Sequence, residues 1–306
     1  MWYFHLIAFV TVVIWGSTFV FTKLLLLEGL SPAQIFTLRF LIAYVLLAAF
    51  SLLRPGHRWF CNSKRDELLM VALGITGGSL YFLTENEALN YTTTTNASLI
   101  VCSCPLFTSL LAVAFFKSER LCLVQLLGML MAVCGLVLVV MNGHFVLHLS
   151  PLGDTLALIA CLCWAVYSIL IMIANKHYDA VFITRKVFFY GLFTMIPYYI
   201  YRPEELSLPT VSCHLSIVGN LLYLGVVASM ICFLVWTWVM NKLGAVIATN
   251  WVYLNPVSTI FFAWWLLSEP ITPWFLLGTV MILGGMYLSD RRSHSSNLKP
   301  SGRGVR

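Results

Sequence analysis

The feature that most limits this chain is a series of apolar runs, each about as long as a bilayer is thick. They fall at residues 3 to 27, 32 to 53, 68 to 89, 95 to 116, 122 to 141, 152 to 175, 180 to 201, 216 to 240, 245 to 267 and 273 to 289. A hydrocarbon core of ~30 Å takes about 20 residues of helix, and a helix satisfies its backbone within its own segment. Barrel strands are excluded, because the runs are twice too long and show no alternation of apolar and polar residues. Composition agrees: 60% of residues are apolar and 10% charged, against roughly 45–50% and about 25% in a soluble domain. The expected fold is all-α, an integral membrane protein with ten transmembrane helices and the lipid bilayer as its surroundings. The net charge of +6 comes from tails and loops, with no basic face carrying interleaved aromatics, so nucleic acid is not an expected partner.

Residues 1 to 27 offer neither a basic leading region nor a small-residue cleavage site, so the first run reads as a helix rather than a signal peptide. With the N-terminus inside, thirteen of the 18 basic residues collect in the even-to-odd connections and the tail. Only Arg202 falls in a connection on the other side, and Lys23, Arg39, Arg185 and Lys186 lie within spans. Basic loops are retained on the cytoplasmic side, so both termini are expected there. Residues 291 to 306 read as a disordered basic tail.

The chain repeats itself. At an offset of 150, Ser118-Glu119 matches Ser268-Glu269, Gly128 matches Gly278 and Gly135 matches Gly285. With slight drift, Pro105 corresponds to Pro256, Ala97 to Ala248, Trp15 to Trp164 and Thr18 to Tyr167. Two five-span halves follow, residues 1 to 144 and 151 to 290. Because each holds an odd number of spans, the second enters the membrane from the opposite side, which makes the repeats inverted.

Trp15-Gly16-Ser17 in the opening span, Leu38-Arg39-Phe40 in span 2, and the duplicated pattern from Pro105 through Glu119 to Gly128 and Gly135 resemble the EamA domains of the drug/metabolite transporter superfamily. The second half departs from the first, with Ala165 in place of Gly16 and no Leu-Arg-Phe. The resemblance implies a ten-helix exporter of small metabolites, often amino acids, in a bacterial inner membrane.

The residues leave few other classes open. There is no phosphate-binding Gly-x-x-x-x-Gly-Lys-Ser/Thr loop for ATP, no His-Glu-x-x-His and no Gly-x-Ser-x-Gly. No enzyme activity, cofactor or metal site is expected; His144 and His148, four apart, sit in a short loop and read as solvated side chains. Cys102 with Cys104, and Cys161 with Cys163, point to opposite faces of their helices and read as small apolar side chains. Cys213 has no evident partner. A carrier of a small-molecule substrate remains, with a nucleotide-sugar-type uptake carrier or a non-transporting receptor or scaffold as alternatives.

Charges inside spans carry the sharpest signal, since each costs ~2.5–3.5 kcal/mol near a helix centre on insertion scales. Arg39, seven residues after Pro32, lies about 10 Å below the outer boundary at 1.5 Å per residue. Glu85 on the antiparallel span 3 lies ~6 Å below it, one helical turn from Tyr81. These two charges are expected to meet as a neutralising pair and outer gate; if Glu85 were desolvated without Arg39, it could carry a coupling proton. Glu87 points the other way, toward headgroups. Lys186 reads either as the counterpart of Arg39, each two residues after a threonine, or with Arg185 as an interfacial anchor. Lys23 reads as snorkelling.

Trp15 with Thr18, and Trp164 with Tyr167, place an aromatic and a polar group on one face at mid-depth, as a cavity wall or as core. Pro105 and Pro256, each mid-span, are expected to kink their helices and act as hinges. Gly128 with Gly135, and Gly278 with Gly285, read as close-packing stripes, for helices within the chain or in a homodimer. The expected substrate site is thus Trp15, Thr18, Arg39, Tyr81, Glu85, Trp164 and Tyr167, between the halves near the midplane, worked by alternating access with possible proton or ion coupling.

Overall fold

The computed structural model describes residues 2–53, 58–91, 97, 100–115, 122–141, 150–206, 215–267 and 272–290, with no strand among them. Ser118-Glu119, Ser268-Glu269, His144, His148, Cys213 and the tail from 291 onward lie outside these residues. Helices α1 (Trp2–Leu27) and α2 (Pro32–Leu53) are joined through Gly29 at φ +92°, a left-handed turn that a side chain resists. The third run is α3 (Lys64–Gly74), a π-helical turn (Ile75–Ser79) and α4 (Leu80–Tyr91). Then come α5 (Cys104–Phe115) and α6 (Leu123–Met141).

The second half opens with α7 (Pro151–Ala174), α8 (Ala180–Phe193) and α9 (Ile196–Tyr201). Helix α10 (Leu215–Leu222) runs through a second π-helical stretch (Tyr223–Ile231) into α11 (Cys232–Leu243). Gly244, at φ +83°, turns the chain within one residue into α12 (Ala245–Asn250). A 3-10 turn (Trp251–Leu254) leads to α13 (Asn255–Leu267), and α14 (Pro273–Asp290) follows. Seven helical stretches among the described residues are long and apolar enough to cross a membrane, accompanied by three shorter apolar helices, Cys104–Phe115, Leu123–Val139 and Pro273–Ser289.

The two halves carry the same irregularities at matching places. The π turn at 75–79 recurs within 223–231, each just after or across a glycine, Gly74 and Gly225. A Cβ on Gly74 would strike Tyr190 and Gly191 of α8, and one on Gly225 would strike Ile42 of α2, so both glycines let a π-bearing span press onto its neighbour from the other half. Gly78, at φ −126° and ψ −108°, leaves helical geometry altogether.

The prolines do not kink continuous helices, as the sequence suggested. The chain is already broken before each: Ser103 N–H bonds back to the Ile100 carbonyl at 3.2 Å, and a 3-10 turn precedes Asn255. Pro105 and Pro256 stand in the first turn of the next helix, where a missing N–H leaves no ladder bond unmade.

Helices α6 and α14 pack antiparallel along their glycines. A Cβ on Gly285 would come 2.5 Å from the Gly128 carbonyl, and one on Gly135 2.6 Å from the Gly278 carbonyl. The stripes therefore meet within one chain. Elsewhere the halves interleave: α1 lies on α13, α7 on α4 and α5, α8 on α2 and α3, and α2 on the second π stretch.

Candidate functional site

A cavity of about 230 Å³ lies between the halves. On α1 it is lined by Trp15, Thr18, Phe19, Thr22 and Leu26, spacings that place all five on one helical face. Helix α4 presents Tyr81, Phe82, Glu85 and Asn86, α2 presents Arg39, α7 Trp164 and α11 Phe233. The two chain breaks supply matching positions, Val101 and Cys104 from one half, Val252 and Asn255 from the other. Running from Trp15 to Leu26 and from Tyr81 to Asn86, the cavity extends toward the end of the bundle that carries the α1–α2 connection.

Its opposite end is floored by aromatic rings. The Trp15 ring lies 5.5 Å from Trp164, 5.7 Å from Phe233 and 5.0 Å from Trp236. The two tryptophans that the repeat pairs in sequence thus meet edge to face, an arrangement that aromatic quadrupoles favour. Tyr167 does not line the cavity. One turn deeper on α7, it is fully buried beneath Trp164, at 5.2 Å between ring centroids, with its ring against Gly77.

The Trp15-Gly16-Ser17 run has a separate contact for each residue. The Trp15 indole donates to the Ala228 carbonyl at 3.0 Å, in the second π stretch. Gly16 leaves room for Ser258 of α13, and the Ser17 and Tyr223 hydroxyls share a 2.6 Å hydrogen bond. A π turn displaces backbone carbonyls from the α ladder, and one of them receives the indole here. Thr18 lines the cavity while donating to the Trp15 carbonyl at 2.6 Å.

Arg39 and Glu85 face the same cavity, at 5% and 7% exposure, but they do not form an ion pair. The sequence reading placed them in contact, and the structure separates them. Arg39 Nε donates to Ser229 Oγ at 2.9 Å, and its guanidinium lies 4.8 Å from the Phe82 ring centroid. Glu85 accepts from the Tyr81 hydroxyl at 3.0 Å. Each charge is thus held by its own neutral partner. Glu87, on the other face of α4, is half-buried.

A second charged cluster stands at the other end of the bundle, where the chain passes from α2 to α3. Ser63 caps α3 and Asp179 caps α8 by accepting the N–H groups of Asp66 and Phe182, which sets the register of both helices. Lys186 Nζ then reaches Glu67 Oε1 at 2.5 Å, and the Tyr190 hydroxyl donates to the same oxygen. The Tyr178 hydroxyl donates to Asp66 at 2.9 Å and accepts the Asn62 N–H at 2.8 Å. Burial pushes the Tyr178 hydroxyl up to about 12, and burial with the neighbouring Glu67 carboxylate pushes the Cys61 thiol up to about 12, so both keep their protons. Arg185 donates to the Arg58 carbonyl and lies 4.0 Å over the Trp59 ring. Arg185 and Lys186 are both buried, and both tie the second half to the first.

Sequence reasoning missed Phe82, Asn86, Phe233, Asn255 and Ser229. Asn255 was within reach, since it precedes Pro256 as Cys104 precedes Pro105. Ser229 was not, because its partner is 190 residues away.

The described residues form a many-helix apolar bundle around an aromatic-lined cavity that also holds Arg39 and Glu85. The chain matches the EamA-like transporter family over residues 2–141 and again over residues 151–289, and it belongs to that family. It is a multi-pass membrane transporter. An uncharacterized transporter of Archaeoglobus fulgidus is 29% identical over 95% of this chain and 98% of its own length. A protein of Escherichia coli named a probable amino-acid metabolite efflux pump is 25% identical over 92% of this chain and 93% of its own length. One crystal structure shares the fold, with a TM-score of 0.74 and 21% identity over 94% of this chain and 96% of the other.

Proposed function

We propose that this transporter is a secondary carrier that exports small organic metabolites, amino acids among them, across a bacterial inner membrane. In this reading ten spans form two inverted five-helix repeats with both termini cytoplasmic, and the substrate site is the cavity between the halves, reached alternately from each side. The observation that carries it is the cavity lining: matching positions of both halves, Trp15 with Trp164 and Cys104 with Asn255, surround one space that also holds two buried charges. A two-fold arrangement of this kind lets one site open to either side by exchanging the conformations of the halves. The aromatic floor and the Glu67–Lys186 cluster are the barrier that parts when the cavity turns inward. A volume of about 230 Å³ suits an amino-acid-sized solute and is small beside the ~300–1,000 Å³ typical of larger ligands. Glu85 is the place for a coupling proton, in which case Glu85→Gln flattens the pH dependence of transport.

Counterflow of labelled amino acids and nucleobases in proteoliposomes tests the assignment. Saturable exchange of at least one solute is the expected result, and no exchange across the panel would reject it.

A further inference from the structure

We infer that the cavity recognises a zwitterion, a solute carrying a carboxylate and an ammonium group on one carbon, with the carboxylate on Arg39 and the ammonium on Glu85. The inference deepens the carrier reading and rests on the same cavity. A buried charge without a counter-charge is unfavourable, and two opposite buried charges near one another would ordinarily pair. Arg39 and Glu85 instead face one space and stay apart, each steadied by a neutral group. Among the described residues, the terminal guanidinium nitrogens and the second Glu85 oxygen have no hydrogen-bond partner. What remains open is a two-nitrogen fork on Arg39 and a carboxylate oxygen on Glu85, two residues that line one cavity. A fork matches a carboxylate, and a carboxylate oxygen matches an ammonium group. A solute with both groups neutralises both charges at once, while a simple amine or acid leaves one uncompensated. The Trp15 and Trp164 rings beside these groups provide an apolar wall for the solute's side chain.

Ser229 has a defined part in this arrangement. Fully buried in the second π stretch, it takes the Arg39 Nε and so leaves the other two nitrogens for the solute. It is a positioning residue, supplied by the second half for a charge on the first.

The test measures binding to the purified full chain in detergent, using labelled phenylalanine, phenethylamine, which lacks the carboxylate, and 3-phenylpropanoate, which lacks the amine; leucine and serine extend the amino-acid series. Phenylalanine, leucine or serine should bind, with the single-charge phenyl compounds at least tenfold weaker than phenylalanine if it is the ligand. Arg39→Gln should erase the advantage of phenylalanine over phenethylamine, and Glu85→Gln its advantage over phenylpropanoate. Ser229→Ala, a smaller change to the fold, should weaken amino-acid binding several-fold and leave phenethylamine unchanged. Equal binding of the three phenyl compounds, or no saturable amino-acid binding up to millimolar concentration, would overturn the inference. Binding with this crossed pattern but without counterflow would reject transport and keep the recognition; counterflow without the pattern would do the reverse.

Discussion

The molecule holds two sets of opposite charge, and it treats them in opposite ways. At the α2–α3 end, Lys186 and Glu67 are closed onto each other at 2.5 Å, with Tyr190 on the same oxygen. In the cavity, Arg39 and Glu85 are more deeply buried yet remain apart. If both were structural, the more buried pair would be the one most in need of contact, because desolvation penalises an unpaired ion most strongly there. The difference teaches that the first pair joins two halves of the protein, whereas the second keeps its charges facing a cavity, as the proposed solute site requires.

The sharpest way to break this comparison is to remove one charge from each set. Glu67→Leu leaves Lys186 uncompensated and should lower stability in detergent by about 2 kcal/mol, less than for a fully buried pair because the Glu67 side chain is 32% exposed. Glu85→Leu should leave stability within about 1 kcal/mol of the parent and abolish transport. Thermal unfolding and counterflow on the same preparations check both; the reverse pattern would make the cavity pair the structural one.

Double-mutant cycles sharpen it further. Glu67 and Lys186 should show a coupling of about 1–2 kcal/mol in unfolding free energy, and Arg39 with Glu85 a smaller one, since they attract one another without sharing a contact. A strong coupling in the cavity would restore the direct ion pair that the sequence suggested.

Accessibility comes next in size. In a variant otherwise without reactive cysteines, Thr18→Cys sits on the cavity wall. Lys186→Met should raise its labelling from the face that carries the α2–α3 connection about tenfold, equivalent to ~1.4 kcal/mol. Unchanged labelling would remove the Glu67 cluster from the barrier.

The smallest effect belongs to Tyr178→Phe. It deletes the hydroxyl shared by Asp66 and the Asn62 N–H, and should cost about 0.5–1.5 kcal/mol in unfolding without altering the binding of any solute to the cavity.

Much of the cavity was legible because helical spacing reports faces. Trp15 and Thr18 lie three residues apart on an unbroken helix, as do Tyr81 and Glu85 at four, and each set shares a wall. Tyr167 shows where that logic stops: it shares a face with Trp164, but one turn of depth carries it beneath the floor. Periodicity gives direction around a helix and says nothing of how far down its axis a cavity ends. The π turns at 75–79 and 223–231 were equally hidden, since glycine permits such a turn without requiring it.

What the sequence determined by itself is the presence of long apolar helices and the lack of strands among the described residues. These follow from the length of each run and from the need of a backbone in lipid to satisfy its hydrogen bonds within its own segment, both of which are local properties. Only the tertiary structure decided which charges close and which stay open. Lys186 finds Glu67 across 119 residues, and Arg39 finds Ser229 across 190, because Gly74 and Gly225 let the π-bearing spans press against α8 and α2. That choice depends on how closely helices from the two halves approach, and close approach is a property of the packed bundle that no single run contains.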